Sequence, residues 1–151
     1  MNILERFAPY FRQINHFDRD NGLAFEIHAP GEITYRMTVQ EKHLSSPGIA
    51  HGASLAAFMD CVLGLSALSQ ALTEGQLTST VEFKLNFIRP ARLGDELVGT
   101  GKIDYRGKSL IIASGDVRLP SGELVAKGLG TFNTYPLEKK GELYAALADQ
   151  N

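Results

Sequence analysis

Apolar residues at the start of the chain recur at helical steps: Leu4, Phe7, Phe11 and Ile14 lie three or four positions apart. That spacing predicts an amphipathic helix over the first seventeen residues. The period then shortens. Leu23, Phe25 and Ile27 alternate with other residues, Pro30-Gly31 marks a turn, and Ile33, Tyr35, Met37 and Val39 alternate again. Alternation on both sides of a Pro-Gly pair predicts a β-hairpin. From Gly48 the helical period returns. Leu55, Phe58, Met59, Val62 and Leu65 fit a helix from about His51 to Leu72, with Gly75 as a stop.

Four strands are predicted beyond it. Val81, Phe83, Leu85 and Phe87 alternate with Thr80, Glu82, Lys84 and Asn86 as far as Arg89-Pro90. Leu97, Gly99, Gly101, Ile103 and Tyr105 share one face of the next strand, which ends at Arg106-Gly107-Lys108. Ser109–Leu119 and Leu124–Tyr135 are two further β-rich runs, parted by Pro120-Ser121-Gly122. Leu143, Tyr144 and Leu147 suggest a short C-terminal helix. The pattern predicts one α+β domain over residues 1–151: a largely antiparallel sheet with one long helix across it. That helix is apolar on more than one face, so a single sheet cannot cover it, and a second copy of the chain is the expected cover.

Composition narrows the function classes. Of 151 residues 44% are hydrophobic, and 15 Lys+Arg against 17 Asp+Glu give a net charge of −2, which excludes disorder as the general state. With no basic excess, nucleic acid is not an expected partner. The lone Cys61 excludes an intramolecular disulfide and a multi-cysteine zinc site, and no motif calls for a metal or other cofactor. Glu5, Arg6 and Arg12 break the early apolar residues, so no export signal is read. Gly52 to Leu68, interrupted by Asp60, reads as shorter than the ~20 apolar residues of a membrane span. A cytoplasmic protein without a membrane partner is the expectation.

The long helix carries the candidate chemistry. Ala53, Ala56, Ala57, Asp60, Gly64 and Ala67 form a stripe of small residues in which Asp60 is the one ionisable group. A carboxylate there is costly unless it is paired, hydrogen-bonded or wet. It either bonds a neighbouring loop or serves as acid, base or nucleophile in a narrow cleft. The first N–H groups of the helix, near Gly52, would stabilise negative charge developing on a carbonyl oxygen. A lone His at a helix start, such as His51, is more often structural. His51 and Asp60 are nine residues apart, about two and a half turns, and cannot pair on one helix. Either they act on different parts of a ligand or they belong to different sites in a dimer. Phosphate loops, nucleophile elbows and zinc-ligand clusters are missing from the sequence, which removes P-loop and serine-hydrolase chemistry.

Ser46-Pro47-Gly48-Ile49-Ala50-His51-Gly52-Ala53, with Asp60 nine positions after His51, resembles the signature of hotdog-fold acyl-CoA thioesterases of the PaaI-like and 4-hydroxybenzoyl-CoA thioesterase type. Thr80 to Ala91 resembles their long strand after the helix, and Gly94-Asp95 and Gly122 to Ala126 also fit. The resemblance covers roughly Glu32 to Thr134. It implies a central helix wrapped by an antiparallel sheet, two subunits sharing one continuous sheet, and sites at their interface. It further implies that the Gly52 N–H polarises a thioester carbonyl, that Asp60 of the other subunit activates water or attacks, and that Thr80 helps position the water. Two departures stand out. Ser45 replaces an Asn six residues before the His, and Ala53 replaces a second Gly. His51 and Ser45 join Asp60, Gly52 and Thr80 as candidate catalytic residues.

The expected activity is hydrolysis of an acyl-CoA by a homo-oligomer, a dimer of dimers. Arg89, Arg92, Arg106 and Lys108, at strand ends beside turns, are candidates for the phosphate-bearing half of CoA. Two alternatives remain open at this point. One is a hotdog protein that binds acyl thioesters without turnover. The other is an enoyl-thioester hydratase or dehydratase, which would place an Asp and a His at a spacing not found around His43 and His51.

Overall fold

A computed structural model describes residues 1–147, apart from the side chain of Tyr144. The N-terminal segment folds as two helices, α1 (Ile3–Ile14) and α2 (His16–Asn21), rather than one. Asn15 breaks the run because its side chain caps α2, accepting a bond from the Asp18 N–H at 3.0 Å. At the other end of α1, Asn2 and Glu5 form a reciprocal capping box.

The hairpin β1 (Ala24–Ala29) and β2 (Glu32–Thr38) turns at Pro30-Gly31, as expected. A two-stranded ribbon, β3 (Leu44–Ser46) and β4 (Ile49–Ala50), then leads into α3 (Gly52–Thr73), followed by β5 (Gln76–Phe87). The remaining elements are β6 (Glu96–Arg106), β7 (Leu110–Arg118), β8 (Leu124–Pro136) and α4 (Gly141–Leu147). The short ribbon has no hydrophobic period and is the one pair of strands the sequence pattern did not predict.

Six strands form one antiparallel sheet in the order β1-β2-β6-β7-β8-β5, and α3 lies across it. Phe58, Met59, Val62 and Leu63 are fully buried on the helix face that meets the sheet. The approach is so close that β6 needs glycine. A Cβ on Gly101 would lie 3.0 Å from the backbone oxygen of Val62. Two helix serines hold the β1–β2 turn. Ser69 Oγ accepts from the Gly31 N–H at 2.9 Å, and Ser66 Oγ donates to the Gly31 carbonyl.

At 22 residues and a mean hydropathy of 1.6, α3 is long and apolar enough to cross a bilayer, which corrects the expectation that it falls short. Its place is nevertheless the core, because 61% of the apolar window is buried inside the fold. Two β-bulges alter the predicted faces. The pairing slips between Ile103 and Tyr105, which turns Tyr105 out to 59% exposure instead of leaving it on the Leu97 face. A second slip, between Thr80 and Glu82, leaves Val81 unpaired and exposed.

Candidate active site

The bulge at Val81 sets the site. On a regular strand Thr80 would face away from Phe83 and Leu85, which pack on the core. The extra residue returns Thr80 to the helix side, where its Oγ1 donates to Asp60 Oδ1 at 3.0 Å. Asp60 is half-buried on α3 and lines a cavity of about 210 Å³ together with Thr80, Gly64 and Phe11. A hydroxyl donor on one oxygen leaves the second oxygen free to accept a proton from water or to attack a carbonyl carbon.

The start of α3 is built by the β3–β4 ribbon. The His51 N–H donates to the His43 carbonyl at 2.7 Å, and the Ser54 hydroxyl donates to the same oxygen at 3.1 Å. His51 is the N-cap: its Nδ1 accepts from the Ala53 N–H at 2.8 Å. One ring nitrogen of His51 is thus used to cap the helix, and it takes up the Ala53 N–H. The Gly52 N–H, at the first helical position, finds no acceptor among the described residues, and it points its partial positive charge out of the helix start. The Phe87 ring lies beside it, 3.4 Å from where a Cβ on Gly52 would sit. Ser45 is exposed on β3, and no side-chain hydrogen bond is seen for it among the described residues.

Gly52 and Asp60 do not meet within one chain. Eight residues along α3 separate them by ~12 Å. The small-residue stripe is also divided. Ala53 is exposed and Ala56, Ala57 and Asp60 are half-buried, whereas Ala67 is fully buried under the chain's own elements.

Three features of the neighbourhood were not legible in the sequence. Asp18, in a polar string that looks like loop, is 95% buried (5% exposed) and accepts from the Tyr35 hydroxyl at 2.5 Å. Burial pushes its carboxyl above the ordinary range, against the pull of the bonds from Tyr35, Asn15 and Cys61. Cys61, next to Asp60, faces Asp18 at 3.9 Å, and burial together with the two aspartates raises its thiol pKa. The Asp18–Tyr35 bond ties α2 to β2, and Asn15 at the α1–α2 junction then lines the Asp60 cavity beside Phe11. His43 is the third. It is buried with both ring nitrogens engaged, Nδ1 accepting from the Gln40 N–H at 3.0 Å and Nε2 bonded to Asn21 Oδ1 at 3.0 Å. Burial lowers its pKa, and no ring nitrogen remains for proton transfer.

The four candidate cations do not form one patch within a chain. Arg89 and Arg92 lie on the β5–β6 connection beside the start of α3, where the Leu93 N–H bonds the Gly48 carbonyl and Ile49 bridges Arg92. Arg89 is bonded to the Leu124 carbonyl and paired with Glu123 at 3.0 Å. Arg106 and Lys108 belong to the opposite end of α3. There Arg106 binds Glu74 at 2.7 Å and Gln76 at 2.6 Å, holding the Glu74 carboxyl below its ordinary range. β6 runs the length of the helix, so its two ends, and the cations beside them, are far apart within one chain.

Among the described residues no three His, Cys, Asp or Glu side chains converge as metal ligands would.

Residues 47–126 match the model of the thioesterase superfamily. PA0474 of Pseudomonas aeruginosa, whose name gives it only provisionally as an esterase, is 34% identical over 88% of this chain and 98% of its own length. Human acyl-coenzyme A thioesterase 13 is 31% identical over 68% of this chain and 73% of its own. The PaaI protein of the E. coli phenylacetic acid degradation operon superposes with a TM-score of 0.80 at 20% identity, over 88% of this chain and 94% of that one. The chain therefore belongs to the thioesterase superfamily, in the hotdog fold of its PaaI-like members.

Proposed function

We propose that this thioesterase hydrolyses an acyl-CoA, with Asp60 of one subunit and the Gly52 N–H of a second copy forming each site. Family membership makes the chain a thioester hydrolase. Support for CoA comes from the human relative's name and from hotdog neighbours of Streptococcus pneumoniae and Streptococcus mutans solved with coenzyme A and acetyl CoA.

The single observation that carries the mechanism is the Thr80–Asp60 hydrogen bond, which presents one free carboxylate oxygen to the cavity. The thioester carbonyl oxygen lies at the start of an α3, where the Gly52 N–H and the helix dipole stabilise its growing negative charge. Asp60 either takes a proton from water, so that hydroxide adds to the carbonyl carbon, or adds directly. In both routes the tetrahedral adduct collapses, the carbon–sulfur bond breaks, and CoA leaves as thiolate. In the first route the free acid forms at once. In the second, water then hydrolyses the Asp60–acyl anhydride to release the acid and restore the carboxylate. Thr80 orients the carboxylate, and through it the attacking water. Arg89 and Arg92, beside the helix start, lie nearest to where the phosphates of CoA would emerge. Arg106 and Lys108 have no part in this reading.

An antiparallel pair of α3 helices about a two-fold axis closes the ~12 Å separation of Gly52 from Asp60, and this is why the active form is an oligomer, at least a dimer. A hydratase reading built on His43 finds both of its ring nitrogens engaged.

Asp60→Asn tests the mechanism. Asn keeps size and hydrogen bonding but loses basicity, so turnover on the best acyl-CoA should fall about 10²–10⁴-fold with the KM and melting temperature little changed. Near-normal turnover would make Asp60 structural and sink the mechanism.

A further inference from the structure

The Asp60 cavity does not end at the reacting groups. On α3, Asp60, Gly64 and Leu68 lie at four-residue steps on one face, and all three line the cavity. A second, larger hollow of about 530 Å³ begins where the first stops, and the two share Leu68 and Thr78 as common wall. Beyond that wall the lining is mostly apolar: Ile14 and Tyr10 from α1, Leu77 from β5, and Leu143 from α4. Between Asp60 and the far rim none of these residues carries a charge. The rim itself is Lys139, Lys140 and Glu142, all exposed, and long lysine stems can cover apolar surface while their ammonium groups stay in water.

Resting on the thioesterase reading above, we infer that the acyl half of the substrate is an unbranched alkyl chain of medium or greater length. It lies along the Asp60–Gly64–Leu68 face of α3, under α1 and against the C-terminal segment, and Leu68 sets the passage between the two hollows. An acetyl group or a single ring fits in the first hollow and leaves the second to water. An alkyl chain displaces water from both. The roof is fixed in place rather than loose, because the buried Asp18–Tyr35 bond holds α2, and through Asn15 the end of α1, against β2. Each methylene moved from water into the channel is worth about fourfold in affinity, so the specificity constant should climb with chain length until the channel is full.

The experiment is a chain-length series of acetyl-, hexanoyl-, decanoyl- and palmitoyl-CoA, with phenylacetyl-CoA as the ring-sized comparison, on the wild type and on Leu68→Trp. In the wild type, kcat/KM should rise by about a hundredfold or more from acetyl to decanoyl, and decanoyl should exceed phenylacetyl. Leu68→Trp, by filling the passage, should lower the decanoyl-to-acetyl ratio of kcat/KM at least about tenfold. Ile14→Arg, at a position already 45% exposed, places a charge in the second hollow and should lower the same ratio even if the tryptophan variant fails to fold. A flat chain-length profile, a preference for phenylacetyl-CoA, or an unchanged ratio in Ile14→Arg overturns the alkyl channel while leaving the thioesterase reading intact. Failure of the wild type to release CoA from any of the five substrates overturns both.

Discussion

Asp60 and Asp18 serve different ends though they lie close in space, since Cys61, next to Asp60, faces Asp18. Asp60 is half-buried, faces a cavity and has one oxygen bonded to Thr80, an arrangement that leaves it able to react. Asp18 is buried, with Tyr35 donating to it, and it locks helix to strand. Burial also makes the contribution of Asp18 depend on pH. Because burial raises the folded-state pKa of Asp18 above its ordinary 3.8, the folded chain keeps a proton that the unfolded chain has already lost. Stability from this group is thus greatest below 3.8, declines as pH rises from there, and levels off once the folded carboxyl has ionised. Asp18→Asn retains an oxygen for the Tyr35 hydroxyl and has no charge to bury. Its melting temperature relative to wild type should therefore increase on going from acid to neutral pH. A difference independent of pH across that window would mean that Asp18 titrates alike in both states.

The seating of α3 on the sheet is decided by side chains that are missing from β6. Gly101 faces Val62 and Ser66, and a Cβ there would be 3.0 Å from the Val62 carbonyl oxygen and 3.1 Å from the Ser66 Cβ, neither of which is a flexible tip. Gly101→Ala should cost about 1–3 kcal/mol by overpacking, measured as a shift of the denaturation midpoint. Gly141→Ala, where an added Cβ meets nothing within 4 Å, is the control and should change stability by less than about 0.5 kcal/mol. Equal effects of the two would show that the helix can lift from the sheet without loss. The same closeness keeps Asp60 at hydrogen-bond distance from Thr80, because β5 and α3 are held to one sheet.

Among the described residues the six-stranded sheet has two unpaired edges, β1 and β5. On β5, a strand of twelve residues, Val81 is 59% and Phe87 56% exposed, with Ile88 just beyond at 51%. A long edge with exposed apolar side chains invites another strand. Pairing β5 with β5 of a second copy would bury these residues, make the sheet continuous and bring the two α3 helices side by side. The expected result in sedimentation at micromolar concentration is a dimer or tetramer, with activity confined to that species. An active, monodisperse monomer would contradict both the association and the shared site.

Much of this was legible from periodicity. The change from helical to alternating spacing marked α3, the β1–β2 hairpin and the later strands, because one face of each meets the same core and must be apolar at the matching period. The Gly52 and Asp60 positions followed from helix geometry and from the cost of a carboxylate on a small-residue stripe. What periodicity missed are contacts between residues distant in the chain. Thr80 belongs, by alternation, with the outward Glu82 and Lys84, and only the bulge at Val81, created by pairing with β8, turns it onto Asp60. Tyr105 leaves its predicted face for the same reason at the β6–β7 pairing. Asp18 lies in a polar string and becomes a buried anchor because α2 folds back on Tyr35, and Arg106 is drawn to Glu74 because a strand end and a helix end meet. Local sequence determined most of the helix and strand segments and which groups are candidates to react. Strand register and the folding of α1 and α2 onto α3 decided which of those groups share a cavity, since both depend on the packing of the whole chain.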